Sequence, residues 1–246
     1  MIARLVGREY QLAVWLPENY ASSQKRYPVI YLLDGDIFFG FAANLTPFLN
    51  MFDKVPESII VGINYDMTSY KEFFQLRELD FKIPEVQDAP PNSHADLFLA
   101  ALKQEIIPFI DTNYRVDPSE RIIYGYSSSG FFVLYTLCHE PNLFRRYLAG
   151  SGDLDLSVPY MITHDQKLVS REKINPIDIY LSVGGLEDGS SQSSVSSFKE
   201  LVNVIKAKNY PGIQLITEIY KSEKHGVGGA VLTYINGLRK CFPTMK

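Results

Sequence analysis

Short apolar runs recur along the chain, separated by stretches in which apolar residues return every three or four positions. Tyr10–Pro17 alternates apolar and polar side chains with period two and predicts a half-covered strand. Val29–Leu33, Ser58–Asn64, Arg121–Tyr126, Arg146–Ser151, Ile177–Val183 and Gln214–Tyr220 are short strand-like runs, most of the middle ones apolar and β-branched. Most of these suit strands buried on both faces. Between them, Val195, Phe198, Leu201, Val202 and Ile205 fall on one helical face, as do Val227, Val231, Tyr234, Ile235, Leu238 and Phe242. Asp96–Tyr114 predicts a further helix, with Asp96 suited to capping its start and Pro108 near its end. Strand–helix alternation of this kind predicts an α/β fold: a mostly parallel, twisted sheet with helices on both faces, in a single domain over residues 1–246.

Two stretches break the rhythm. Tyr65–Ala95 carries prolines and no clean period, and Leu154–Pro176 is polar and irregular. Both start at the carboxyl ends of strands, where open parallel sheets bind ligands, so both are expected to wall a pocket.

Composition narrows the function classes. At 46% hydrophobic and 21% charged residues the chain has an ordinary globular balance. Its 24 basic and 28 acidic residues give a net charge of −4, which argues against a nucleic-acid partner. The uncharged runs Ile37–Phe52 and Ile122–Cys138 are interrupted by Asn, Thr and Pro or by Ser and Gly, so no membrane span is expected. No apolar leader precedes the first strand. A cytoplasmic location is expected for the chain as written, and an exported one if a leader precedes it. The two cysteines, Cys138 and Cys241, sit in apolar helical stretches and read as buried thiols. No signal for an oligomeric state stands out.

The candidate chemistry centres on Gly125-Tyr126-Ser127-Ser128-Ser129-Gly130, which leaves a predicted strand and enters a predicted helix. A nucleophile elbow needs this context, and Ser127, two residues after Gly125, is its candidate nucleophile. A serine that simply caps the helix is the bland alternative. Ser129 stands where the usual G-x-S-x-G pattern has its second glycine. A serine hydroxyl needs a base. His225, between the last predicted strand and the last predicted helix and next to glycines, is placed to supply one; His94, His139 and His164 lie in loops or at a helix end. An orienting acid is offered by Glu187 or Asp188, just after the strand ending at Val183. The order Ser, acid, His is that of α/β-hydrolases, not of the chymotrypsin or subtilisin folds. The Ser128 amide at the helix start, and the Asp36 amide in the turn Asp34-Gly35-Asp36, are candidate oxyanion donors.

The segments YPVIYLLDGD, IIVGINY, EIIPFIDTNYRVDPSERIIYGYSSSG, YLSVGGLED and EKHGVGGAVLTYINGLRKCF resemble, in order and spacing, the putative esterase family of α/β-hydrolases. That family includes siderophore esterases, feruloyl and acetyl-xylan esterases, S-formylglutathione hydrolases and mycolyltransferases. The resemblance runs from Tyr10 to Phe242 and is most specific over Glu105–Gly130. It implies Ser127 as nucleophile, His225 as base, and Glu187 as acid with Asp188 as fallback. It implies the amides of Asp36 and Ser128 as oxyanion donors. Arg77 and Asp80, in RELDF, resemble an R-x-x-D stretch at the mouth of the family's pocket. That stretch implies either an Arg77 contact to an acidic or phenolate group or an Arg77–Asp80 ion pair, the second preferred. Arg77, Tyr126 and Phe38 are the candidate substrate contacts. The sequence departs from the family at Ser129, where glycine is usual, and at Ser151-Gly152-Asp153, where the family often has S-P-S.

The function expected is a serine carboxylic-ester hydrolase working through an acyl-enzyme on a small-molecule ester. No metal or organic cofactor is expected, since the histidines lack zinc-type spacing. An acyltransferase on the same three side chains, or a non-catalytic binding module on a hydrolase scaffold, are the alternatives.

Overall fold

A computed structural model describes residues 1–53, 55–85, 89–170, 176–190 and 192–242. These fall into two units, Met1–Arg121 and Ile122–Lys246, with the division inside one long strand, β6 (Val116–Tyr126).

The first unit begins with a two-stranded ribbon, β1 (Ile2–Ala3) and β2 (Arg8–Glu9). Then come β3 (Gln11–Trp15), β4 (Tyr27–Leu32), α1 (Gly35–Asp53) and β5 (Ile59–Asn64). β5 pairs antiparallel with β3 and parallel with β4, so α1 is the crossover of a β–α–β unit. β4 and β5 are almost wholly buried and rich in β-branched residues, as parallel strands covered on both faces should be. Gly62 lets α1 approach: a Cβ there would lie 2.9 Å from the Phe39 ring.

Next come α2 (Tyr70–Phe81), α3 (Ala95–Ala101), a π-helical turn (Leu102–Ile106) and α4 (Ile107–Asn113). The helix expected over Asp96–Tyr114 is thus present, but its ladder widens to π spacing just before Pro108. A proline ring crowds the carbonyl four residues back, and the wider turn absorbs that. The cap residue is His94, and Asp96 lies in the first turn instead.

In the second unit, the end of β6 pairs with β7 (Arg146–Gly150), β7 with β8 (Ile177–Gly184), and β8 with β9 (Ile213–Tyr220), all parallel. Every residue of β7 and β8 is buried, which requires cover on both faces. The helices are α5 (Ser128–His139), α6 (Leu154–His164), α7 (Gln166–Val169), α8 (Val195–Lys208) and α9 (Val227–Cys241). α9 is seated on the sheet by an edge-to-face pair, Tyr124 and Tyr234 (5.4 Å, 90°), and by the Tyr124 hydroxyl donating to the Ala230 carbonyl at 2.8 Å. Cys138 and Cys241 are buried free thiols at the ends of α5 and α9.

Both stretches expected to be irregular contain helix. α2 lies within Tyr65–Ala95, and α6 and α7 lie within Leu154–Pro176; residues 86–88 and 171–175 of these stretches fall outside the described ones. α2 hides its period because its buried face, Phe73, Arg77, Asp80 and Phe81, is half ionic. Its start is nevertheless capped by local chemistry: the Ser69 hydroxyl accepts the Glu72 amide at 3.2 Å. α6 buries Ser157 among Leu154, Val158, Tyr160 and Met161 and carries Pro159 inside it, both of which break an apolar pattern. α1 was also not visible as a helix, because Gly35, Gly40 and Pro47 interrupt its run.

Candidate active site

The second unit brings three side chains from the ends of three different strands into one line. β6 ends at Tyr126, and Ser127 joins it to α5 with φ 61 and ψ −132, a conformation that non-glycine residues rarely adopt. The turn is sharp enough to exclude side chains around it. A Cβ on Gly125 would lie 2.3 Å from the Ser129 carbonyl oxygen, and one on Gly130 would lie 2.7 Å from the Gly150 carbonyl oxygen. The elbow's second close approach therefore falls on Gly130. Ser129 is accommodated because its hydroxyl bonds back to Tyr126, accepting from its amide and donating to its carbonyl, each at 2.9 Å. Gly125→Ala is expected to cost about 1–3 kcal/mol of stability through overpacking. Urea unfolding reads this directly, and an unchanged midpoint would mean that the junction yields without strain.

His225 lies in the loop between β9 and α9, with Gly226 (φ 151) behind it. Its Nε2 is 3.1 Å from Ser127 Oγ, and its Nδ1 is 3.0 Å from Glu187 Oε2. An ionised carboxylate only accepts, so Nδ1 carries the proton and Nε2 is free to accept from the serine.

Glu187 follows β8 by a tight turn in which its amide donates to the Gly184 carbonyl at 3.2 Å. The turn is tied to the end of β9: the Gly185 amide donates to the Tyr220 carbonyl (2.8 Å) and the Leu186 amide to the Glu223 carbonyl (2.9 Å). Glu187 Oε1 accepts from the Gly184 amide at 2.9 Å and from the Ser151 hydroxyl at 2.6 Å. Burial pushes this carboxyl up, but the hydrogen bonds from His225, Ser151 and Gly184 outweigh it and hold it below the usual glutamate range. Asp188 points elsewhere: it is exposed, and its carboxylate accepts the Ser190 amide at 3.1 Å. Of the two acids left open by the sequence, Glu187 is the one beside His225.

The remaining candidates have varied surroundings. Ser128 opens α5, so its amide sits at the positive end of the helix. Tyr126 is 4% exposed, with its ring 5.2 Å from that of His225. In the first unit, Asp36 lies in the first turn of α1, and its carboxylate accepts the Tyr65 amide at 2.9 Å. Phe38, on the same helix, is buried with its ring edge-on to Phe41. Arg77 does pair with an acid, but the acid is Asp34, not Asp80. Its Nε and Nη2 donate to the two Asp34 carboxylate oxygens at 2.9 and 2.7 Å. Asp80 is taken by Arg8 (2.8 Å) and by the Tyr10 hydroxyl (2.7 Å). Residues 77 and 80 share a face of α2, but each buried charge is satisfied by a partner from elsewhere in the chain. Sequence reasoning assigned Ser151 no role; its only signal was its place at the carboxyl end of a strand.

Among the described residues, no group of three or more His, Cys, Asp or Glu could hold a metal, and no helix is long and apolar enough to cross a membrane.

The chain matches the family model described as "Putative esterase" over residues 3–228. It is 29% identical over 243 residues to the ferri-bacillibactin esterase BesA of Bacillus subtilis (strain 168), covering 92% of this chain and 82% of that protein. Among solved structures it is similar to the BES protein from Bacillus cereus, with TM-score 0.83 and 25% identity, covering 99% of this chain and 93% of that one. It is also similar to an IroE-like serine hydrolase from Shewanella oneidensis, with TM-score 0.79 and 24% identity, covering 98% and 78%. The fold is that of the α/β-hydrolases.

Proposed function

The chain belongs to the putative esterase family and is a carboxylic ester hydrolase, and from that premise we propose that Ser127, His225 and Glu187 carry its reaction through an acyl-enzyme. The observation that supports this reading is the unbroken line Ser127 Oγ, His225, Glu187, with neighbouring atoms 3.1 and 3.0 Å apart. His225 Nε2 takes the Ser127 proton as Oγ attacks the ester carbonyl. Glu187 holds the imidazole in the required tautomer and stabilises the imidazolium that forms. The carbonyl oxygen becomes an oxyanion, and the Ser128 amide at the start of α5 is assigned as one donor to it. For the second donor, the family resemblance implies the Asp36 amide. Collapse of the tetrahedral intermediate expels the alcohol, which takes the proton from His225. Water, deprotonated by the same nitrogen, then releases the acid and regenerates Ser127.

The relative named as a ferri-bacillibactin esterase extends the proposal to siderophore esters, whose hydrolysis would free the chelating groups from their ester scaffold.

The deciding experiment is intact-mass labelling with a fluorophosphonate on wild type and on the Ser127→Ala, Ser128→Ala and Ser129→Ala variants. One adduct is expected on wild type, lost only in Ser127→Ala. No adduct on folded wild type would sink the activated serine and favour a binding module. An adduct lost with Ser128 or Ser129 instead would move the nucleophile.

A further inference from the structure

Glu187 is held by a line of hydroxyls that begins beside His225. The Gly226 amide donates to the Tyr126 hydroxyl at 3.3 Å. The hydroxyl oxygens of Tyr126 and Ser151 are 3.2 Å apart, and Ser151 Oγ is 2.6 Å from Glu187 Oε1. The carboxylate can only accept, so the Ser151 proton points at Glu187. The Tyr126 hydroxyl oxygen stands between the Gly226 amide and Ser151 Oγ. Burial pushes the Tyr126 phenol up, so it stays protonated. These contacts run from the peptide after His225 to the carboxylate beside His225 Nδ1. The path closes on itself through the His225–Gly226 backbone.

The members of this ring are themselves fixed. Tyr126 is the last residue of β6. Ser151 follows β7 in a left-handed conformation (φ 43), its amide donating to the Ser182 carbonyl at 2.8 Å and its carbonyl accepting the Ser193 hydroxyl at 3.0 Å. Glycines leave room for the tyrosine: a Cβ on Gly229 would lie 2.5 Å from its hydroxyl oxygen, and one on Gly150 would lie 2.6 Å from its ring. Aligned hydrogen bonds in a low-dielectric setting polarise one another, and the bond that ends on a charge is the strongest.

We propose that Tyr126 and Ser151 are positioning residues that lock the Glu187 carboxylate and the His225 loop into one geometry through this ring. The proposal rests on the reading of Ser127, His225 and Glu187 as the reacting line. It gives Tyr126 a role in orienting the base in place of the substrate contact expected from sequence. It also explains a serine at Ser151, where an alanine would leave Glu187 Oε1 one donor short.

The test is steady-state kinetics and pH profiles with p-nitrophenyl butyrate on wild type, Tyr126→Phe, Ser151→Ala, the double variant and Glu187→Gln. Ser151→Ala is expected to lower kcat by about 10- to 100-fold, the scale of one hydrogen bond to a charged group. Tyr126→Phe, one bond further away, is expected to lose less, on the order of 3- to 10-fold, with KM nearly constant in both. The double variant is expected to lose less than the product of the two single losses, because Tyr126 acts largely through Ser151. Without the Ser151 donor the Glu187 carboxyl rises, so the acid limb of kcat/KM is expected to move to higher pH in Ser151→Ala. A purely structural role would leave that limb in place. Should Ser151→Ala fold poorly at its left-handed φ, Ser151→Gly removes the same hydroxyl and suits that conformation. Wild-type kcat and an unmoved acid limb in the hydroxyl variants, with Glu187→Gln slow, would overturn the proposal and leave the reacting line standing. Fully multiplicative losses would overturn the ring. Wild-type rates in Glu187→Gln would overturn the reading beneath it.

Discussion

Replacing His225 with alanine is expected to lower kcat/KM for a simple ester by about 10⁴- to 10⁶-fold. A serine hydroxyl is a poor nucleophile at neutral pH, and on the proposed reading its base is His225 Nε2, 3.1 Å from Ser127 Oγ. The substitution also leaves Glu187 as a carboxylate that keeps its bonds from Ser151 and Gly184 but loses the one that bears on the reaction. The loss should fall on kcat more than on KM, because the histidine contributes to the transition state and little to ground-state binding. Groups that act as a unit are not additive, so Ser127→Ala combined with His225→Ala should be about as slow as either alone. Single-turnover and steady-state assays on variants shown to be folded by circular dichroism check this. A loss below about tenfold would mean that another group activates the serine.

The second large effect concerns stability in the first unit. Arg77→Met is expected to destabilise the protein by about 3–5 kcal/mol, because it leaves the Asp34 carboxylate buried without its partner. Asp34 is 1% exposed and Arg77 is 6% exposed. Burial opposes the charge on Arg77, but the Asp34 carboxylate overrides it and holds the guanidinium firmly protonated. Asp34 cannot relax easily: it has φ 53, and its carbonyl accepts the amides of Ile37 and Phe38 at the start of α1. The guanidinium also lies over the rings of Phe73, Phe74 and Phe81 at 5.6–5.9 Å, so its flat apolar faces are packed as well. Arg77→Met together with Asp34→Asn should recover part of the loss, since removing both charges avoids the stranded one. Urea unfolding of the single and double variants reads this. Equal stability for Arg77→Met and wild type would show that Asp34 finds water or another cation.

The elements written into local sequence were legible. β-branched runs marked β4, β5 and β8, a short apolar run marked β7, and three-and-four spacing marked α8 and α9. The elbow was visible because strand, glycine, serine and helix are neighbours in sequence, and the strain at Ser127 is a property of that short segment. His225 was legible for a similar reason, as a histidine in a glycine-flanked loop after a strand. Chain order alone separated this arrangement from those of the chymotrypsin and subtilisin folds.

What stayed hidden was decided by contacts between distant parts of the chain. Glu187 and Asp188 are adjacent and chemically alike, so nothing local chooses between them. The choice comes from the turn that ties Glu187 to Gly184, and from a hydroxyl just beyond the end of another strand, Ser151, that meets the inward carboxylate. α2 was missed because its core-facing positions hold an arginine and an aspartate. A buried charge is tolerated only where a partner waits, and those partners, Asp34 and Arg8, lie on other segments. Hydrophobic burial is roughly a sum over residues and so leaves a periodic trace in the sequence. A buried hydrogen bond or ion pair depends on the angle and distance between two particular groups, and only the folded backbone sets those.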